Sequence, residues 1–407
     1  MKVIVYEYVS GGGYAGQAIP QAVLSEGFGM LRSLASDFEA AGHEVTVLLD
    51  SRLSKLNPPI NAHFTVPIFY PGEPQKFLSN IAKINDAVYI IAPETEQTLQ
   101  TLVELAEKTG KVSLNCEAKA IRLMGDKAVL YEHLQKNRFS TPKTLVLNLN
   151  DSLGKLKKTI TAEFDYPVVL KPVDGVGCAG LSNVKAEAQI GKAIAKIKAE
   201  SKNPSFIAQE FINGESASVS LISTGKKAMA LSLNRQNINL AGAEAVSSYE
   251  GGTVPFNHPL EQAAFALAEK VAESFPGLRG YIGIDLILMN DRVFVVDVNA
   301  RLTTSYVGLR KVADFNVAEA LVNSVLKCKL PGKTEIHGFA CFSKMEAAAP
   351  AVSAFQKEAN LNDVVSPLFP TDNNTKSCAL IMGNGKTLKE AGLRLEEAKK
   401  RLRNIIT

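Results

Sequence analysis

The sequence predicts an α/β protein whose first third is a parallel sheet and whose middle part is α+β. Two observations carry that expectation. Up to about residue 115, short apolar runs alternate with segments of helical periodicity, as strands joined by helical crossovers do. Beyond Cys116 helical segments give way to a series of strands, and one neighbouring pair reads as antiparallel. With 407 residues, 46% of them hydrophobic, the chain can bury more than one core.

Lys2–Val9 is the first strand, and Ser10-Gly11-Gly12-Gly13 is a loop after it. Phe28, Leu31, Leu34, Ala35, Phe38 and Ala41 recur every three or four residues, so a helix runs from near Ser25 to Gly42. Val45–Leu49, ending at Asp50, and Ala87–Ala92 are the next strands. A helix through Leu99, Leu102 and Leu105 leads to Val112–Leu114, which closes a unit spanning 1–115. In such a sheet the ligand edge lies at the C-terminal ends of the strands. Helical segments over Lys119–Arg138 then give way to strands at Tyr166–Lys171, Phe206–Ile212, Ala217–Ser223 and Ala228–Leu233. Tyr281–Met289 and Val293–Asn299 complete a second unit, 116–330. Leu330-Pro331-Gly332-Lys333 reads as a linker into a small C-terminal α/β unit, 331–407. Thr387 and Glu390 form a capping box for its last helix. Leu388, Ala391, Leu395, Ala398, Leu402 and Ile405 are that helix's apolar stripe.

Composition excludes several classes. The net charge of +4 is too small and dispersed to argue for nucleic acid. No apolar run approaches the ~20 residues that span a bilayer, and no signal peptide is legible, so no membrane partner is expected. Five scattered cysteines without a C-x-x-C pair argue against a disulfide framework or a zinc site and suit the reducing cytoplasm. Five histidines without an H-x-x-x-H pair argue against a histidine-based metal enzyme.

Three glycine signals differ in weight. Gly11-x-Gly13-x-x-Gly16 matches a dinucleotide fingerprint on paper, which is the basis for an oxidoreductase alternative. That motif should open directly into a helix, whereas Pro20 intervenes here and the helix is expected only near Ser25. Asp50 also lies 34 residues past Gly16, too far for the ribose carboxylate. The simpler expectation is a mobile loop over a strand edge. Gly383-Asn384-Gly385-Lys386-Thr387 lacks the first P-loop glycine, with Leu380 in its place. Asp174-Gly175-Val176-Gly177-Cys178-Ala179-Gly180 is the informative one. It follows the strand ending in Lys171-Pro172, so small residues can fold over phosphates beside a fixed positive charge.

Asp285, Asp297 and Asn299 lie on two neighbouring strands otherwise made of Ile, Leu, Val and Phe. Alternation puts Asp297 and Asn299 on one face. A two-residue turn at Asn290-Asp291 would pair Asp285 with Val296 and send Asp297 to the other face. A three-residue turn, or a bulge, pairs Asp285 with Asp297 and Gly283 with Asn299. Oxygen ligands of this kind suit Mg²⁺ shared with nucleotide phosphates. The competing reading is that these acids end strands or pair with Arg292 and Arg301.

The ordered set Lys127, Lys171-Pro172, the glycine loop, Gln209-Glu210-Phe211-Ile212, Gly214-Glu215, Asp285 and Asp297-x-Asn299-x-Arg301 resembles the ATP-grasp superfamily over about 116–330. The resemblance implies a preceding α/β domain, a lid at about 140–208, and ATP clamped between two sheets. It implies that Lys127 and Lys171 hold phosphates under a loop containing Gly175, Gly177 and Gly180. Glu210 and the backbone of Phe211 and Ile212 would meet adenine, and Glu215 the ribose. Asp285, Asp297 and Asn299 would hold one or two Mg²⁺ ions, with Mn²⁺ as a possible substitute, and Arg301 and Lys171 would be catalytic. Asp297 departs from the usual Glu by one methylene. A homodimer is also implied.

A narrower resemblance starts at Val5-Tyr6-Glu7-Tyr8-Val9-Ser10-Gly11-Gly12, with Ser25-Glu26-Gly27 and Met30. Together with Asp297-Val298-Asn299-Ala300-Arg301-Leu302-Thr303-Thr304-Ser305-Tyr306, it is similar to the tyramine–L-glutamate ligase group of methanofuran biosynthesis. Ala300 stands where a proline is expected. This resemblance implies amide formation from an amino acid and an amine through an acyl-phosphate, with ADP and phosphate released. It makes γ-glutamyl-tyramine the expected product. Thr303, Thr304 and Ser305 would hold glutamate, and the Tyr6-Glu7 loop would meet the amine. The alternatives are an ATP-grasp ligase with another acid and amine, a nucleotide-binding protein without catalysis, and the dinucleotide oxidoreductase.

Overall fold

Val3 to Tyr6 are buried on both faces of their strand, so layers must cover both sides. In the computed structural model, which describes residues 1–81, 84–332, 334–371 and 376–406, that strand is the centre of a parallel sheet. Its strands are β1 (Lys2–Glu7), β2 (Glu44–Asp50), β3 (Phe64–Ile68), β4 (Ala87–Ile91) and β5 (Val112–Ser113), in the order β3-β2-β1-β4-β5. The helix Gln21–Ala40 covers one face, burying Leu24, Phe28, Leu31, Leu34 and Phe38. It starts directly after Pro20, four residues earlier than expected from the apolar pattern. A proline fits the edge of a helix, where a missing N–H costs nothing.

The glycine loop is not a mobile loop. Val9, Ser10, Gly11 and Gly12 are buried in a helical turn over Val9–Gly13. The Glu7 carboxylate accepts hydrogen bonds from Val9 N (3.0 Å), Ser10 N (2.7 Å) and Ser10 Oγ (2.6 Å). Gly12 sits at φ +91°, and a Cβ there would lie 2.4 Å from Ile68.

A second, antiparallel sheet holds β6 (Thr144–Asn148), β7 (Val168–Pro172), β8 (Ser182–Val184) and β9 (Ser205–Glu210), in the order β6-β9-β7-β8. Helices Leu153–Glu163 and Ile190–Glu200 cover it through Leu156, Ile160, Ile190, Ile194 and Ile197. The third sheet contains β10 (Glu215–Thr224), β11 (Ala228–Asn239), β12 (Ser248–Val254), β13 (Arg279–Met289), β14 (Arg292–Asn299), β15 (Phe339–Ala348), β16 (Val364–Ser366) and β17 (Lys376–Gly385). Its order is β14-β13-β10-β11-β12-β15-β17-β16.

The tail strands therefore build no sheet of their own: β15, β17 and β16 continue the central one. The seam is tight at Gly251, where φ is +129° and a Cβ would meet Phe342 O at 2.1 Å. The last helix, Leu388–Ile406, buries Ala391, Leu395, Ala398 and Leu402 against β15 and β17, while Leu388 is exposed. Lys333, the end of the expected linker, lies outside the described residues.

Asp37 ties the N-terminal helix to the segment after the β13–β14 hairpin. Its carboxylate accepts from Tyr306 Oη (2.6 Å) and from Arg310 Nε (2.8 Å) and Nη2, and its carbonyl from Asn316 Nδ2 (2.8 Å). Removing one partner of a buried ion pair strands the other charge. Asp37→Ala should therefore lower stability by about 3 kcal/mol, read from the denaturant midpoint. A shift under about 1 kcal/mol, the size of an exposed pair, would show that this contact does not hold the segments.

Candidate active site

The β13–β14 hairpin has a two-residue turn, Asn290-Asp291, with Asn290 at φ +54°. Met289 pairs with Arg292, but the register shifts between Asp285 and Leu286. This bulge leaves Val296 as the extra residue and sets Asp285 opposite Asp297, and Gly283 opposite Asn299. Of the two routes to that pairing, the chain uses the bulge. Asn299 Nδ2 donates to Asp285 Oδ2 (3.1 Å), and Gln236 Nε2 of β11 donates to Asp285 Oδ1 (2.9 Å). Lys127 Nζ lies 2.8 Å from Asp297 Oδ2.

A cavity of about 430 Å³ separates this hairpin from the second sheet. Lys171 of β7 lines it, as do Gly175, Gly177 and Cys178 of the glycine loop, and Glu210, Phe211 and Ile212 at the end of β9. The loop makes a left-handed turn, with Gly177, Cys178 and Gly180 at φ +58°, +70° and +69°. Its base is tied down by Ser201 Oγ donating to Asp174 Oδ1 (2.6 Å). Arg301 follows the hairpin, and its Nε donates to Glu94 Oε1 (2.9 Å) just past β4. The ligand edge of the parallel sheet is thus joined to the cavity by Glu94, which does not line it but holds Arg301, which does.

The charges are strongly coupled. Burial, and then the negative charge of Asp297, push Asp285 up to about 6. Burial would raise Asp297 as well, but Lys127 and Lys171 outweigh it and hold that carboxyl below its ordinary value. Burial pulls Lys171 down to about 8; Asp297 opposes this and Lys127 adds to it. Burial also disfavours the charges of Lys127 and Arg301, yet Asp297 and Glu94 respectively outweigh it and raise both. Two adjacent carboxylates facing two cations form a site for a polyanion and an oxygen-ligated cation. Among the described residues no group of three or more His, Cys, Asp or Glu could hold a metal ion by itself. The acidic pair with the Asn299 amide is therefore a partial set, of the kind Mg²⁺ completes with phosphate oxygens and water.

Most of the sequence-derived residues meet in this cavity, and four do not line it. Gly180 supports the loop from behind, packed against Pro172. Glu215 sits off the cavity beside Arg235 (3.6 Å) and His258 (3.5 Å), because β10 turns Ser216 and Ser218 inward instead. Glu7, with Tyr6, is buried under the N-terminal loop, where its oxygens are already occupied. Sequence reasoning missed Gln236, Glu94 and Lys344. Glu94 had a legible signal: an acid just beyond an apolar strand, at the ligand edge of a parallel sheet. Gln236 and Lys344 had none, since their partners, Asp285 two strands away and Glu26 on the first helix (2.8 Å), are set by the tertiary fold.

A model of the ATP-grasp domain matches residues 124–305, and a model of the pre ATP-grasp 3 domain matches 43–121. The tyramine–L-glutamate ligase of Methanocaldococcus jannaschii is 30% identical over 341 residues, covering 81% of this chain and 92% of that protein. The chain belongs to the ATP-grasp family. It is an ATP-dependent ligase that forms carbon–nitrogen bonds. The tyramine–L-glutamate ligase of Methanocaldococcus fervens is 35% identical over 252 residues, 61% of this chain and 70% of that one. The biotin carboxylase domain dimer of Hydrogenobacter thermophilus 2-oxoglutarate carboxylase, solved with MgADP, ADP and bicarbonate, shares the fold. Its TM-score is 0.72 at 12% identity, over 98% of this chain and 89% of that one. Among the described residues, the ligase has no helix long and apolar enough to cross a membrane.

Lys171 is where the ligase should differ measurably from an ordinary lysine-bearing surface. With its amine titrating at about 8, it is half neutral where exposed lysines remain protonated. Acetic anhydride labelling of the ligand-free ligase, read by peptide mass spectrometry, should rise at Lys171 between pH 7 and 9. A rise only above about pH 10, as for exposed lysines, would contradict the electrostatic picture.

Proposed function

We propose that this ligase joins L-glutamate to tyramine, activating the side-chain carboxylate with ATP and releasing γ-glutamyl-tyramine, ADP and phosphate. One observation carries the mechanistic part. A bulge brings Asp285 level with Asp297, beside Asn299, Lys127 and Arg301, and Lys171 faces them across one cavity. The substrate pair rests on the likeness to tyramine–L-glutamate ligases over most of the chain.

A carboxylate does not acylate an amine at neutral pH because its oxygen is a poor leaving group. In the proposed reaction a glutamate carboxylate oxygen attacks the γ-phosphorus of ATP, and the bond to the ADP oxygen breaks. The amine nitrogen of tyramine then attacks the acyl carbon. Phosphate leaves with the former carboxylate oxygen, and the nitrogen loses a proton. Phosphoryl transfer depends on positioning and on neutralising spread charge. Lys127 and Lys171 hold the phosphates, and the 174–180 loop covers them. Glu210, Phe211 and Ile212 border the adenine, whereas Glu215 reaches the ribose only if the sheets move. Arg301, fixed by Glu94, faces the transferring group. Asp285, Asp297 and Asn299 hold Mg²⁺, or Mn²⁺ in its place, which supplies Lewis-acid charge at the phosphate oxygens. The four-stranded sheet is the lid of a nucleotide-binding unit spanning 116–330, between 1–115 and the 331–407 tail. The ligase acts in the cytoplasm as a homodimer.

ADP release with Mg²⁺, glutamate and tyramine, followed by product mass, tests the reading. The amide should form only with both substrates, and Lys171→Ala and Asp285→Ala should each lower kcat by roughly 100-fold or more. ADP with glutamate but no amide would reject tyramine, and unchanged turnover in both variants would reject the site. Protons and Mg²⁺ compete for Asp285, whose carboxyl sits at about 6. Mg²⁺ affinity, measured by titration with ADP present, should therefore fall as pH drops from 7 to 5 and level off above 7. A flat profile across that window would place the ion elsewhere.

A further inference from the structure

One charged cluster on the cavity wall has no part in phosphate chemistry. Glu26, on the helix Gln21–Ala40, lines the cavity. Its Oε1 holds the Lys344 ammonium of β15 at 2.8 Å, and its Oε2 accepts from Thr304 Oγ1 at 2.7 Å. Of the two, Glu26 lines the cavity directly, while the Lys344 ammonium sits behind it, and both side chains keep partial exposure. The ring of Tyr249, another lining residue, lies 5.9 Å from Lys344 Nζ. The N-terminal helix, the loop after the hairpin and the tail thus converge on one acid–base pair.

An α-amino acid carries an ammonium and a carboxylate on one carbon, the charge pattern that Glu26 and Lys344 complement. We propose that Glu26 binds the α-ammonium and Lys344 the α-carboxylate of the amino-acid substrate. Each gives up part of the mutual pair for the opposite charge on the ligand. This rests on the ligase reading and deepens it. Thr304, which orients Glu26, lies three residues past Arg301, so one short loop joins the two sites. With the α-carboxylate engaged by Lys344, the side-chain carboxylate is the one left for activation. A clamp role alone explains less, because the same helix is already tied down through Asp37, Tyr306 and Arg310, and a buried ion pair by itself adds little net stability.

The test uses the full-length ligase with hydroxylamine as nucleophile, so that it does not depend on tyramine, and compares L-glutamate, L-aspartate, glutarate and 4-aminobutyrate. Glutarate lacks the α-ammonium, and 4-aminobutyrate lacks the α-carboxylate. Glu26→Gln should lower kcat/KM for glutamate by roughly 10- to 100-fold while changing glutarate by less than about threefold. Lys344→Met should do the same relative to 4-aminobutyrate, and Lys344→Arg should restore most of the loss. KM for ATP should stay unchanged throughout, which also reports that the variants fold. Equal losses on every acid, or no loss on glutamate, would overturn the proposal, as would wild-type turnover of glutarate with no response to any amino acid. Turnover of aspartate in place of glutamate, lost in both variants, would reject glutamate as substrate and uphold the subsite.

Discussion

The arrangement depends on two carboxylates held face to face. Asp285 and Asp297 are directly cross-strand, a placement that is destabilising for like charges unless something answers it. The answer comes from four directions. Lys127 takes Asp297, Lys171 adds a second positive charge from the facing sheet, and Asn299 and Gln236 donate to Asp285. The asymmetry between the two acids follows from who their neighbours are. Asp297 has the two lysines and is held low, while Asp285 is hydrogen-bonded only by amides, and burial and Asp297 outweigh these and Arg301 to push it up.

From that pair outward, each supporting contact crosses from one part of the chain to another. Arg301 reaches Glu94 at the end of the parallel sheet, and Thr304 reaches Glu26 on the first helix. Lys344 arrives from a strand added to the far side of the same sheet that carries the hairpin. The cavity is therefore not the property of the 124–305 segment alone. Its floor is set by the hairpin, while Glu26 of the N-terminal helix joins its wall and is held there by Lys344 of the tail.

Legibility followed the range of the determining interaction. The glycine loop beside Lys171 and the alternation of Asp297 with Asn299 are local patterns that could be read from the residues, whereas Arg301 was legible only through the family resemblance. The apposition of Asp285 and Asp297 was readable only as a condition, because a one-residue bulge decides it and a bulge leaves no mark of its own in the sequence. Glu215 was placed by motif order, yet strand alternation turns it away from the cavity. The N-terminal glycines misled in the opposite direction. They suggested mobility, whereas close packing against Ile68 and the three hydrogen bonds to Glu7 make that turn part of the core. The tail strands read as a separate unit because sheet order is set by pairing across distant segments, which periodicity does not report.

The charge balance of the cavity constrains what can enter it. Lys127, Lys171 and Arg301 line it together with Glu26, Glu210, Asp285 and Asp297, so the lining carries no surplus of positive charge. A polyphosphate entering alone would add about four negative charges to a low-dielectric space that has no surplus positive charge to meet them. The two cationic lysines would be drawn toward it, and Asp297 would lose the neighbour that keeps its carboxyl low. A divalent cation entering with it would be held by Asp285, Asp297 and Asn299, would supply the missing positive charge, and would leave Lys127 available for phosphate. The same coupling explains why the acidic pair can be incomplete as a metal site by itself. With only two carboxylates and an amide on the protein side, a cation there would draw its remaining oxygen ligands from the nucleotide and water.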